Sequence, residues 1–253
     1  MTAVKATPIN PLELASRFGS AATAAGFRSE TFGEAAGCPL LALTKRTPGP
    51  RPRVYLSAGI HGDEPAAPLA LLSLLESGEF DDRAVWFLCP LLNPEGFLRG
   101  TRENAAGIDL NRDYRHLVSP EISAHVAWLR RQPNFDLAIC VHEDWESGGF
   151  YLYELNPDNR PSLAKAMIDA ASRVCPIETS PLIDGREAKA GIIRPVLNPA
   201  ERELWPEALY LQVHHTRLSY TLETPSSRLL ETRVAALRAA ILRALAQMPR
   251  ARG

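Results

Sequence analysis

Apolar and polar positions along the chain follow two rhythms. Apolar-rich runs at 54–60, 84–91, 136–141 and 218–222 read as buried strands. Segments 39–45, 149–155 and 209–213 read as further strands, with a short one near 30–32. Helical spacing fills 12–26, 66–76, 119–131, 161–174 and 229–247. In the first of these, Leu12, Leu14, Phe18, Ala22 and Ala25 are apolar and Gly26 supplies the stop. In the third, Ser119 suits the N-cap and Pro120 the first helical position. Residues 47–52, with three prolines and a glycine, form a loop, and Asn93-Pro94-Glu95-Gly96 is a turn by composition. Residues 100–115 make a long polar loop rich in directed side chains. Residues 176–207, crowded with Pro, Gly and charge, predict no element. Strands alternating with helices imply one α/β domain spanning 1–253, with a mixed, mostly parallel twisted sheet covered on both faces. Residues 1–50 are too short for a core of their own and belong to it.

Composition narrows the class. With 253 residues, 45% of them apolar, and a formal charge of -1, the chain is neither disordered nor a nucleic-acid-binding surface. The one dense basic cluster, Arg250 to Arg252, reads as a frayed tail rather than a binding arm. Cys38, Cys89, Cys140 and Cys175 lie far apart with no CxxC pair, which fits small buried hydrophobes in a reducing compartment. Residues 1–11 hold no apolar targeting core, and no apolar run is long enough for a bilayer. The expectation is a cytoplasmic protein with no membrane or nucleic-acid partner; the oligomeric state is not legible.

Chemistry gathers where the apolar runs stop. His61-Gly62-Asp63-Glu64 follows the run at 54–60 and opens the helix at 66–76. A His and a carboxylate three residues apart on such a turn can aim at one point, offering zinc a nitrogen and an oxygen. His142 ends the run at 136–141, and Glu223 ends the run at 218–222. In a parallel sheet such strand ends share one edge, so the three sites can converge. The polar loop adds Arg102, Asp109, Asn111 and Arg112.

These residues carry a resemblance. His61-Gly62-Asp63-Glu64, Arg102, Gly107-Ile108-Asp109-Leu110-Asn111-Arg112-Asp113, His142 and Thr221-Leu222-Glu223 resemble the ordered motif set of the zinc carboxypeptidases, the M14 metallopeptidases. The likeness is nearest to the small bacterial branch that includes the murein peptide amidases, and runs from Val54 to the final helix. The succinylglutamate desuccinylase and aspartoacylase group shares the scaffold. The resemblance implies one zinc per chain, held by His61, Glu64 and His142 with a water in the fourth position. It implies Glu223 as general base, Arg102 as oxyanion stabiliser, Asn111 and Arg112 as the grip on a substrate carboxylate, and Asp109 as the acceptor orienting His61.

The expected activity is zinc-dependent hydrolysis of an amide bond next to a free carboxylate, on a small peptide or amino-acid-derived substrate. An N-acyl amino-acid deacylase would use the same groups, and a non-catalytic zinc-stabilised domain is the third possibility. Glu223 and Arg102 argue against the third, since a structural zinc site needs neither. The deacylases commonly add a β-rich C-terminal domain, whereas the chain closes on a helix soon after Glu223, which favours the peptidase. Three features depart from the family pattern. No tyrosine is cleanly placed to cover the substrate: Tyr220 faces away from Glu223 on a regular strand, and Tyr210 is unanchored. Glu143 and Asp144 would make the pocket more acidic or bind a second metal. His214 and His215 read as an ordinary loop or strand pair.

Overall fold

The computed structural model describes residues 9–196 and 198–248, so the Arg250 to Arg252 cluster lies outside the described residues. The strands are β1 (Arg28–Ala35), β2 (Cys38–Lys45), β3 (Arg53–Ala58), β4 (Val85–Cys89), β5 (Leu137–Asp144), β6 (Tyr151–Leu155), β7 (Leu182–Ile183), β8 (Arg186–Lys189), β9 (Ile192–Ile193) and β10 (Ser219–Pro225). The helices are α1 (Pro11–Ala24), α2 (Ala66–Glu76), α3 (Pro94–Arg99), α4 (Pro120–Leu129), α5 (Ala164–Ala171), α6 (Glu207–His214) and α7 (Leu230–Gln247).

All ten strands join one mixed sheet in the order β1-β2-β4-β3-β5-β10-β6-β9-β8-β7. Its centre is parallel: β3 pairs with β4 and β5, and β5 with β10. Hairpins close both margins, β1 with β2 on one side and β7, β8 and β9 on the other. Alternation along the central strands sorts side chains into two cores. Val54, Leu56, Ile139, Val141, Tyr220 and Leu222 face the first core, under α1, α2, α5 and α7. Tyr55, Ala138 and Cys140 face the second, with α4 and α6. The α/β architecture read from the pattern holds, and all four cysteines are buried and unpaired. No helix among the described residues is long and apolar enough to cross a membrane.

Two expectations are corrected. Residues 209–213 are not a strand but the body of α6. Leu209, Tyr210 and Leu211 are buried together, and Trp205-Pro206-Glu207 had supplied a helix start, with proline before an acidic first turn. The Asn93-Pro94-Glu95-Gly96 turn proves to open α3: Asn93 caps it by accepting the Gly96 N–H at 2.9 Å, and Pro94 takes the first helical position.

Candidate active site

The apolar run of β3 stops at Ala58, and Gly59 bends the chain at a φ of 65° into the turn that carries His61 and Glu64. The bend is pinned, because the Gly59 carbonyl accepts the N–H groups of Leu92 and Asn93 at 3.1 and 2.7 Å. Gly62 rests against Gly96 so closely that a Cβ there would overlap the Gly96 carbonyl. The turn bearing His61 is thus docked on the first turn of α3, just ahead of Arg102.

His142 and Glu223 are direct partners in the parallel register of β5 and β10, so both side chains lie on the same face. On the other flank of β10, Glu223 pairs with Tyr151 of β6. Ligand atoms of His61, Glu64 and His142, all three buried, lie within 4.8 Å of one another, the one such group of three among the described residues. His61 Nδ1 is 2.5 Å from Glu64 Oε1, and His142 Nδ1 is 3.0 Å from Glu64 Oε2. His61 Nε2 lies 3.1 Å from Asp109 Oδ1. A proton on Nε2 directed at Asp109 leaves the Nδ1 lone pair facing Glu64 and His142, the tautomer a metal requires. Two imidazoles and a carboxylate converging with one lone pair each suit zinc.

Arg102 reaches the same centre, with Nε donating to Asp109 Oδ2 at 3.0 Å and Nη1 at 3.6 Å from Glu64 Oε1. Burial opposes charge on His61, but Glu64 and Asp109 outweigh it and hold the imidazole up at about 9. Burial also works against the Glu64 carboxylate, yet His61 and His142 pull it well below its usual range. Glu223 moves the other way. Burial, then the negative charges of Glu64 and Asp144, push it well above the ordinary value, with Arg102 opposing.

A cavity of about 660 Å³ opens over this cluster. It brings together His61, Glu64, Arg102, Asn111, Arg112, His142 and Glu223. Asp109 stands behind it, against His61 and Arg102. Arg112 is exposed and makes no ion pair with Asp109 or Asp113. Asp113 instead accepts the N–H groups of Val118 and Ser119 and the Ser119 hydroxyl. The Asn111 side-chain oxygen accepts the Glu207 N–H at 2.9 Å, which turns its amide nitrogen away from α6.

The model of the family "Succinylglutamate desuccinylase/Aspartoacylase catalytic domain" matches residues 50–154, a stretch holding every candidate except Glu223. No curated protein matches the chain. Among solved structures, a "putative metallopeptidase" from Shewanella amazonensis is 26% identical, with 90% of this chain covering 89% of that one at a TM-score of 0.79. A second, from Shewanella baltica, is 25% identical over 93% and 91% of the two chains at 0.82. The partial family match and the metallopeptidase likeness together support an M14-like chain on the succinylglutamate desuccinylase and aspartoacylase scaffold. A metallo-carboxypeptidase from Burkholderia cenocepacia, 23% identical, shares the fold at a TM-score of 0.69, with 91% of this chain covering 66% of that one.

The features that depart from the M14 pattern have structural explanations. Tyr220 is buried on the far face, donating to Glu154 Oε1 at 2.9 Å, and Tyr210 packs its ring 4.5 Å from that of His214. Glu143 lies at the cavity, but both its carboxylate oxygens are engaged: one accepts the Ala66 N–H at the start of α2 at 2.5 Å, and the other pairs with Arg233. Asp144 accepts the Tyr151 hydroxyl at 2.9 Å. His214 ends α6, and His215 is buried with its ring 5.5 Å from Phe135.

The sequence did not announce the far wall of this cavity. Tyr151, Tyr153 and Leu155, every second residue of β6, line it, so the period of the strand was a usable signal. Arg186 on β8 and Arg202 after a 3-10 turn (Pro199–Glu201) also line it, and no motif announces either.

Proposed function

We propose that the protein is a zinc-dependent hydrolase that cleaves an amide bond beside a free carboxylate, as a metallocarboxypeptidase does. One observation carries the reading: the three-ligand cluster opens into the same cavity as Glu223, Arg102, Asn111 and Arg112. Three protein ligands facing a cavity make the open arrangement of a catalytic zinc site, not the closed one of a structural site. Zinc bound there supplies Lewis acidity and lowers the pKa of a water toward about 7.

The side chains of the chain account for the rest. Glu223, with its raised proton affinity, takes the water proton and delivers it to the leaving amine. Arg102, held by Asp109, donates to the oxyanion that forms on the attacked carbonyl. Arg112, free of carboxylate partners among the described residues, and the amide nitrogen of Asn111 grip the substrate carboxylate. His61, oriented by Asp109, His142 and Glu64 hold the metal.

The match to the succinylglutamate desuccinylase and aspartoacylase domain supports a second reading, an N-acyl amino-acid deacylase. One experiment separates them. Zinc-loaded protein is assayed on N-acetyl dipeptides and longer peptides, each with a free or amidated C-terminus, beside simple N-acyl amino acids. Peptides with a free C-terminus as the preferred substrates support the first reading. Turnover of N-acyl amino acids alone supports the second, and equal cleavage of free and amidated peptides removes the carboxypeptidase reading.

A further inference from the structure

Beside the cavity, on the same face of the sheet, lies a buried polar network that the reaction above does not use. Glu207 is 1% exposed and has no cationic partner among the described residues. The Tyr55 hydroxyl donates to its Oε1 at 2.7 Å and the Ser57 hydroxyl to its Oε2 at 2.8 Å. Tyr55 oxygen also lies 3.0 Å from His125 Nε2, and the Tyr114 hydroxyl lies 2.8 Å from His125 Nδ1. Burial holds His125 down at about 3, so it is neutral with a proton on one nitrogen.

Burial raises the proton affinity of Glu207 and the Tyr55 and Ser57 hydroxyls oppose that rise; with the carboxylate ionised, the direction of every bond follows. Tyr55 has one proton and gives it to Glu207, so at His125 it must accept, and Nε2 carries the ring proton. Nδ1 then accepts from Tyr114. The order is Tyr114 to His125 to Tyr55 to Glu207, with the carboxylate as the last acceptor. The path then returns to its start, because the Glu207 N–H donates to the side-chain oxygen of Asn111, three residues before Tyr114. The ring runs from the loop of Asn111 through α4, β3 and α6 and back to that loop. An Asn amide whose oxygen is held inward presents its NH2 outward. For Asn111, which lines the cavity, that outward donor is the group a substrate carboxylate needs.

We propose that Glu207 is a positioning residue for carboxylate recognition: it closes the ring that fixes the amide of Asn111, and with it the neighbouring Arg112. The proposal rests on the carboxylate grip put forward under the proposed function. Without two donors converging on its carboxylate, the first turn of α6 would be free to shift against β3. Asn111 would then lose its fixed acceptor contact.

The test uses zinc-loaded full-length protein and paired N-acetyl dipeptides with free and amidated C-termini. Glu207→Gln, which keeps shape but puts a donor where two donors already point, should lower the preference for the free acid by about tenfold, the scale of losing a hydrogen bond to a charged group. The loss should lie mainly in KM, with zinc content retained. In an Asn111→Ala background the same change should have no further effect on the preference, since the two act through one contact. Tyr55→Phe and Ser57→Ala, each deleting one donor, should move the preference the same way and less far. They carry the test if Glu207→Gln does not fold. A Glu207→Gln protein that keeps the wild-type preference overturns the proposal, as do full additivity with Asn111→Ala or an unchanged preference in both hydroxyl deletions. If Asn111→Ala abolishes the preference and Glu207→Gln does not, the carboxylate reading stands and this inference alone falls. A wild type without any preference removes both.

Discussion

The cavity has two walls of different construction. One is made where β3, β5 and β10 and the turn after β3 deliver His61, Glu64, His142 and Glu223, each beside regular, paired backbone. The other comes from the β7–β8 hairpin and the stretch around the 3-10 turn, carrying Arg186 and Arg202. That second stretch is tied down by single contacts. Tyr114 N–H donates to the Trp205 carbonyl at 3.2 Å, and His116 Nε2 lies 3.0 Å from the Glu203 carbonyl. His142 and Glu223 stand on the parallel centre of the sheet, whereas Arg186 stands on the marginal β8 and Arg202 on irregular chain.

If that division holds, damage to the first wall should be all-or-none and damage to the second graded. His142→Ala should reduce zinc in the purified protein from one per chain to background and abolish turnover, as metal analysis beside an assay would read. Full zinc in that variant would break the ligand assignment. Glu223→Gln keeps the metal and the fold while removing the acceptor, so kcat should fall by about a hundredfold or more. Zinc content and thermal unfolding should be unchanged.

Arg112→Ala, at the border of the two walls, should cost about 1.5–3 kcal/mol of carboxylate recognition, expressed chiefly as a raised KM. Amidated substrate should show little of that loss. On the second wall, Arg202→Ala should leave zinc and kcat nearly unchanged and alter KM by only a few-fold, to different extents for different substrates. An effect as large as that of Glu223→Gln would place chemistry on the irregular wall and erase the contrast.

The pH profile sharpens the same distinction. As the proposed base Glu223 would work ionised, and burial, followed by Glu64 and Asp144, raises its proton affinity in the folded protein. Activity should therefore rise with pH through a midpoint above the usual carboxylate value of about 4.3. Arg202→Ala should leave that acid limb where it is. Glu223→Gln should remove it from the residual rate.

The contrast also explains what could be read in advance. His61, His142 and Glu223 were legible because buried parallel strands announce themselves as apolar runs, and the polar residue that ends such a run falls at the strand edge. The helix at 66–76 was legible to the residue for the same reason. Residues 209–213 misled because Leu209-Tyr210-Leu211 is apolar enough for a strand, and the helix start lay in Pro206 and Glu207 outside that window. Tyr151 and Tyr153 were within reach, since strand period alone puts them on one face, but which face depends on pairing with β10. Arg186, Arg202 and the ring through Glu207 were out of reach. They depend on contacts between segments distant in sequence, such as the one joining Asn111 to Glu207, which no local spacing encodes.

The contact between Gly62 and Gly96 sets a limit on how this protein can change. The turn of His61 and the helix leading to Arg102 touch where neither can hold a side chain without displacement. The two loops therefore share one tolerance for error. An insertion that reshapes the approach to Arg102 also moves His61, and a lineage seeking new substrates by lengthening that loop would disturb the proposed metal ligand first. Among the described residues the β7–β8 hairpin has no such tether to the turn of His61, and new specificity has room to arise there.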